Sequence, residues 1–243
     1  MIDISLKPHY CKTDVSGSPS SELFNMDCIA GMKHYPDKYF DLAIVDPPYG
    51  NIDAIGLIDN KKKGKQATKR TNYKLFENIA PDDEYYCELA RVSKNQIIWG
   101  GNFLGLCGGV IVWQKNGTAF GEAEVAICST HKSVKVFEYT WNGMIQQNMK
   151  DKEIRIHPTQ KPVALYEWIL HNYAKPNDLI LDTHAGSMSS VIACLKNGYN
   201  ITAFEIDKEY FLKGKKRVED FLSQGNIFME QPKINFIDTC SIE

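Results

Sequence analysis

Apolar positions along this chain fall into short runs bounded by turn residues, alternating with stretches that repeat at helical spacing. The runs Glu22–Asp27, Phe40–Val45, Gln96–Trp99, Val110–Trp113, Glu124–Cys128, Val134–Phe137, Leu179–Asp182 and Ile201–Glu205 predict β-strands. A helical turn is expected through Ile29 and Met32, and longer helices over 82–92, 163–173, 189–196 and 208–222. Asp82, Asp83 and Glu84 suit a helix N-terminus, and Pro162 suits a helix start. Strands that alternate with helices predict an α/β fold with a mostly parallel sheet covered on both faces. The closely spaced runs between 96 and 137 suggest an antiparallel edge. Residues 8–21 read as an irregular arm. Residues 51–80, rich in Lys, Asn, Gly and Thr, read as a long mobile loop. There is no internal repeat and no linker, so one domain is expected over 1–243.

Composition narrows the class. Apolar content of 43% and charged content of 24% are those of a globular protein with a core. No apolar run approaches the ~18 residues of a membrane helix, and the N-terminus lacks a secretory pattern, so a cytoplasmic protein without membrane contact is expected. Seven scattered cysteines without a Cys-x-x-Cys pair argue for reduced thiols and against a zinc site. No metal is expected. The net charge of −2 means that any affinity for nucleic acid must come from a local basic patch.

The chemistry begins where the run Phe40–Val45 meets Asp46-Pro47-Pro48-Tyr49-Gly50. Two prolines forbid continuation of the strand, which leaves Asp46 at a carboxyl end, where open α/β sheets bind ligands. A carboxylate, a stiffly held Pro47 carbonyl and an aromatic face at Tyr49 suit a flat base that carries an amino group. Here the chain resembles the S-adenosylmethionine-dependent amino-methyltransferases of DNA, whose motif is (Asp/Asn/Ser)-Pro-Pro-(Tyr/Phe/Trp), the Asp form being usual for adenine. The resemblance implies that Asp46, Pro47, Pro48 and Tyr49 are catalytic, and that a duplex substrate is opened by base flipping.

A second motif, His157-Pro-Thr-Gln-Lys-Pro162, matches the family's segment beside the cofactor loop and implies roles there for Thr159 and Lys161. The turn from Asp182 to Ser190 lies between strand and helix, where small residues let backbone amides approach a ligand. It keeps Asp182, Gly186, Ser187, Ser189 and Ser190 of the family's Asp-Pro-Phe-x-Gly-Ser-Gly-Thr-Thr pattern. It departs at Thr183, at His184 in place of an aromatic residue, and at Met188 in place of glycine. Met188 bears on cofactor binding if that position needs positive φ or close contact. Glu205, twenty-three positions after Asp182, has the placement of a ribose-binding acid. Asp27 is read both as a helix N-cap and as a partner for the cofactor's adenine. The expected cofactor set is thus Asp27, Thr159, Lys161, Asp182, His184, Gly186, Ser187, Ser189 and Glu205, with S-adenosyl-L-methionine as methyl donor.

The motif order is that of the family's circularly permuted beta group. It implies a Rossmann-like, seven-stranded, mostly parallel sheet with one antiparallel strand. Residues 22–50 would carry the catalytic strand, 114–150 a small target-recognition insert, and 157–215 the cofactor half. The basic residues Lys61, Lys62, Lys63, Lys65, Lys69 and Arg70 are candidates for DNA phosphates, against the plainer reading of a solvated charge run. Trp99–Asn102 is a candidate lining for the base pocket, with core packing an equal account of Trp99. The resulting expectation is site-specific transfer to adenine N6 in DNA, by a bacterial or phage-encoded modification or restriction-modification enzyme, with room for a homodimer. The alternatives are cytosine N4 or RNA as acceptor, or a cofactor-weak nucleic-acid-binding protein of the same fold.

Overall fold

The computed structural model describes residues 20–50, 79–116, 121–141, 145–224 and 233–238. The arm expected over 8–21 and the loop expected over 51–80 lie almost entirely outside the described residues. Among those described, nine strands form one sheet: β1 (Ser20–Asn25), β2 (Phe40–Val45), β3 (Ser93–Trp99), β4 (Gly109–Gln114), β5 (Ala123–Cys128), β6 (Val134–Glu138), β7 (Leu179–Asp182), β8 (Asn200–Phe204) and β9 (Lys233–Asp238). Their spatial order is β6-β4-β5-β3-β2-β7-β8-β1-β9. β5 runs antiparallel to both of its neighbours, and every other pairing is parallel. The single antiparallel strand is as expected, but the count of seven is corrected to nine. β9 was absent from the sequence-based assignment. It pairs in parallel with β1 and extends the sheet beyond it.

Helices cover both faces, which is why the strands read as nearly continuous apolar runs. On one face α1 (Cys28–Met32) and α2 (Asp83–Val92) close over Ala43, Val45, Leu181 and Phe204. On the other, α3 (Val163–Tyr173), α4 (Ser189–Asn197) and α5 (Lys208–Ser223) pack on Leu42, Ile44, Ile180 and Ala203. The parity of each strand thus splits its side chains between two cores. Of residues 114–150, expected as an insert, β5 and β6 belong to this sheet.

The chain leaves β2 through α2 on one face and leaves β7 through α4 on the other. β2 and β7 are neighbours, paired at Leu42↔Ile180 and Ala43↔Leu181. The connections therefore diverge between them, and that divergence opens the crevice in which doubly wound sheets bind ligands. Asp46 and Asp182 stand on its two lips.

Candidate active site

On the β2 side, Asp46 is fixed from two directions. The Tyr49 hydroxyl donates to its Oδ1 at 2.5 Å, and the Lys161 ammonium pairs with its Oδ2. Lys161 reaches across from the His157–Pro162 segment, so the first two motifs meet at one carboxylate. Its side chain is only 3% exposed, lies over the Trp99 ring with Nζ 5.3 Å from the centroid, and touches Glu124 Oε2 at 3.1 Å. Burial alone would strip its proton. The carboxylates of Asp46 and Glu124 outweigh burial and hold Lys161 above its ordinary value, as an ammonium. Glu124 in turn pairs with Lys115 through Oε1. Burial pushes Glu124 up, but Lys161 and Lys115 win and leave it below the ordinary carboxylate value.

The Tyr49 ring rests on Gly100. A Cβ at Gly100 would lie 2.0 Å from Tyr49 Cε1, and φ there is +67°, so both space and backbone demand glycine. Phe103, half exposed, lies against the ring at 5.6 Å between centroids and 33° between planes. Of the stretch expected to line a base pocket, Gly100 does touch Tyr49. Trp99 is fully buried against Trp113, and Asn102 points to solvent.

On the β7 side, a cleft of about 350 Å³, open to solvent, is lined by Met26, Asp27, Cys28, Thr183, His184, Glu205 and Ile206. Asp27 caps α1 by accepting from Ala30 N at 2.9 Å while also facing this cleft. Glu205 accepts from Gly186 N at 2.7 Å and from Asp207 N at 2.8 Å. Burial pushes its carboxyl up to about 7 despite these two amides. His184 is held by Thr183 Oγ1 at 2.9 Å and stands edge-on to Tyr85. Burial lowers it to about 4, so at neutral pH it is an uncharged aromatic wall, as its family position suggests.

The other expected cofactor residues build the turn rather than the cleft wall. Asp182 accepts from His184 N at 3.0 Å and from Ser190 Oγ, and burial raises its carboxyl to about 6. Ser187 and Ser189 bond each other at 3.1 Å, and Arg217 of α5 donates to Ser187 O at 2.7 Å and to Ser189 Oγ at 2.9 Å. Thr159 is exposed, with its hydroxyl 3.1 Å from His157 Nδ1. The His157 ring lies over Gly186 and packs on Tyr210. Lys161, expected beside the cofactor, has its ammonium on Asp46.

Met188 resolves the conspicuous departure in the turn. The position does need positive φ, and Met188 adopts it, with φ 57° and ψ 32°, as the N-cap of α4. Its side chain is buried beneath the turn against Gly214 of α5, where a Cβ would lie 2.8 Å from Met188 Cγ. The thioether therefore fills the core and leaves the cleft clear.

The six basic residues Lys61, Lys62, Lys63, Lys65, Lys69 and Arg70 lie outside the described residues. Glu124, Arg217 and Gly100's contact with Tyr49 were not foreseen. The one available hint for Glu124 was a charged residue opening the apolar run that became β5.

A doubly wound sheet whose crevice carries an Asp-Pro-Pro-Tyr carboxylate beside an acidic, glycine-edged cleft defines a group-transfer enzyme of the nucleotide-binding α/β class. The model of the N6/N4 DNA methylases matches residues 57–216, well over half of the chain, and the chain belongs to that family. It is similar to the DNA adenine methyltransferase YhdJ of Escherichia coli strain K12, at 24% identity over 86% of each chain. It is also similar to the type II methyltransferase M2.LlaDCHI of Lactococcus lactis subsp. cremoris, at 24% identity over 75% of this chain and 65% of that one. Among solved structures it shares the fold of TTHA0409, a DNA modification methylase from Thermus thermophilus, complexed with S-adenosyl-L-methionine. That match has a TM-score of 0.55 and 15% identity, over 90% of this chain and 100% of that one. The PvuII DNA methyltransferase (cytosine-N4-specific) matches with a TM-score of 0.54 and 12% identity, over 88% of this chain and 90% of that one. Among the described residues no helix is long and apolar enough to cross a membrane, and no group of His, Cys, Asp and Glu could hold a metal.

Proposed function

We propose that this DNA methylase transfers the methyl group of S-adenosyl-L-methionine to the exocyclic N6 of adenine in DNA, with the motif order of the permuted beta group. The observation that carries the reading is the Asp46 carboxylate, held by Lys161 and Tyr49 beside the cleft of Asp27, His184 and Glu205.

The cleft suits such a donor. Glu205 is an acid for ribose hydroxyls, Asp27 an acceptor for an amino group, His184 an uncharged face, and Gly186 leaves its side of the turn without a side chain. When bound, the donor supplies a methyl group already activated by its sulfonium. The protein's own work is then alignment, which accounts for much of such a rate enhancement. Asp46 and the Pro47 carbonyl accept the two amino hydrogens, favouring a pyramidal nitrogen with its lone pair free. Pro48 keeps the backbone stiff between them and Tyr49. The Tyr49 ring, backed by Gly100, stacks on the extruded base.

Adenine is favoured by the Asp at the head of the motif and by the likeness to an adenine methyltransferase over most of the chain. Methyl incorporation into random-sequence duplex DNA, followed by mapping of the modified base, tests this reading. N6-methyladenine is expected, and N4-methylcytosine alone would sink the adenine assignment. Asp46→Ala is expected to abolish incorporation while cofactor affinity stays near wild type. Parallel loss of cofactor binding would mean that Asp46 belongs to the cofactor site instead.

A further inference from the structure

We propose that Glu124 is a positioning residue for methyl transfer, acting on the Asp46 carboxylate through the ammonium of Lys161. The inference rests on the reading of Asp46 as the group that holds the target amino nitrogen.

The direction of β5 is what brings Glu124 to the site. Parallel strands deliver to the crevice only the residues at their carboxyl ends. β5 runs the other way, so its beginning lies at that end, and Glu124 is its second residue, opposite Trp113 in the ladder. One oxygen meets Lys161 at 3.1 Å and the other meets Lys115, giving a line of alternating charges: Lys115, Glu124, Lys161, Asp46. The line begins at the partly buried Lys115 and ends on the carboxylate proposed to touch substrate.

A lysine ammonium is a compact charge on a flexible stem, with three donors to satisfy. Lys161 is 3% exposed and its ammonium has two carboxylates to serve. Glu124 draws it to one side, so that it engages Asp46 through Oδ2 and leaves Oδ1 to the Tyr49 hydroxyl. That hydroxyl is the exchangeable partner, whose position the amino group can take. With Glu124 uncharged, Lys161 has Asp46 as its sole nearby anion. The ammonium then settles over both oxygens and competes with the substrate for Oδ1. A buried ion pair contributes little to stability by itself, so a chain of them terminating at the reacting group is better explained by orientation.

The test compares Glu124→Gln, Glu124→Asp, Lys115→Met and Asp46→Asn in the full-length protein. It measures steady-state methylation of random-sequence duplex DNA, cofactor affinity by calorimetry, and thermal unfolding. Glu124→Gln should lower kcat on the order of 10- to 100-fold, the scale of a small misalignment, and leave KM for S-adenosylmethionine within about twofold. Glu124→Asp should recover most of that loss because it restores the charge. Lys115→Met, which only loosens the outer end, should lower kcat a few-fold. If Glu124→Gln does not fold, the Asp and Lys115 variants decide, and wild-type kcat in Lys115→Met together with no advantage of Asp over Ala at 124 overturns the proposal. Wild-type kcat in Glu124→Gln overturns it too, as does a loss shared equally by cofactor affinity and melting temperature that Asp fails to rescue. Asp46→Asn separates the two levels. If it is inactive with normal cofactor binding while Glu124→Gln is fully active, only the role of Glu124 falls. If Asp46→Asn is itself active, the reading of Asp46 falls and takes this inference with it.

Discussion

Glu205 illustrates how one side chain serves both the scaffold and the proposed ligand. Its two oxygens accept the amides of Gly186 and Asp207, which tie the turn after β7 to the entry of α5, and each oxygen keeps a second lone pair. Because burial raises this carboxyl to about 7, a fraction of it is protonated near neutral pH. Ribose hydroxyls donate best to the ionised form, so cofactor binding expels that proton. Affinity should therefore strengthen as pH rises through about 7 and level off above it. Glu205→Gln should flatten this step and weaken binding at high pH. Asp182, at about 6 and bonded within its own turn, would leave a separate and smaller dependence at lower pH. Calorimetric titrations across the range check the sign, and affinity that falls with rising pH would contradict it.

At the scale of elements, the hydrophobic pattern located eight of the nine strands, and several boundaries, such as Phe40–Val45, Val163–Tyr173 and Leu179–Asp182, coincide with those expected. Strong alternation and proline or acidic starts make such boundaries legible. β3 begins earlier than its apolar run because Ser93, Lys94 and Asn95 are polar and enter the ladder through their pairing with β2. β9 was missed because Lys233–Asp238 lies beyond the last long helix, and its pairing with β1 joins segments too far apart for local pattern to reveal. The Met188–Gly214 contact is likewise invisible in sequence, since it joins a turn to the middle of α5. Met188→Gly relieves a left-handed residue, worth about 1–2 kcal/mol. It also removes a buried thioether, a change that costs about 2–5 kcal/mol, for a net loss of roughly 1–3 kcal/mol. Gly214→Ala should destabilise by about 1–3 kcal/mol through overpacking, partly offset by about 1 kcal/mol of helix propensity. In the double variant the new methyl occupies space that the methionine vacated, so the loss should be less than the sum by at least about 1 kcal/mol, measured by urea unfolding. Strict additivity would mean that the two sites do not share this space.

For the molecule as a whole, the three motifs specified in advance that Asp46, the His157–Pro162 segment and the Asp182 turn belong together, and the switch between β2 and β7 brings them there. What the sequence left unread is mostly contact across long separations, such as Glu124 with Lys161 and Arg217 with Ser187. DNA affinity in a protein of net charge −2 must come from a localised basic surface, for which Lys61, Lys62 and Lys63 remain the proposed source. Replacing all three by Gln should reduce the salt slope of DNA binding by up to about 2.7, at roughly 0.9 per phosphate contact. An unchanged slope in a filter-binding or anisotropy assay would return them to the role of a solvated run.

The reversed direction of β5 has one more consequence. Asp46 and Asp182 close their strands, and the chain that follows each is free to vary in course. Glu124 opens its strand, and every residue after it is clamped between β3 and β4. Insertions or deletions in the connection that precedes β5 can therefore alter which DNA the protein engages while the register of Glu124 stays fixed from downstream. Target choice and chemistry are separable here, so recognition can diversify across relatives without the reaction centre being rebuilt each time.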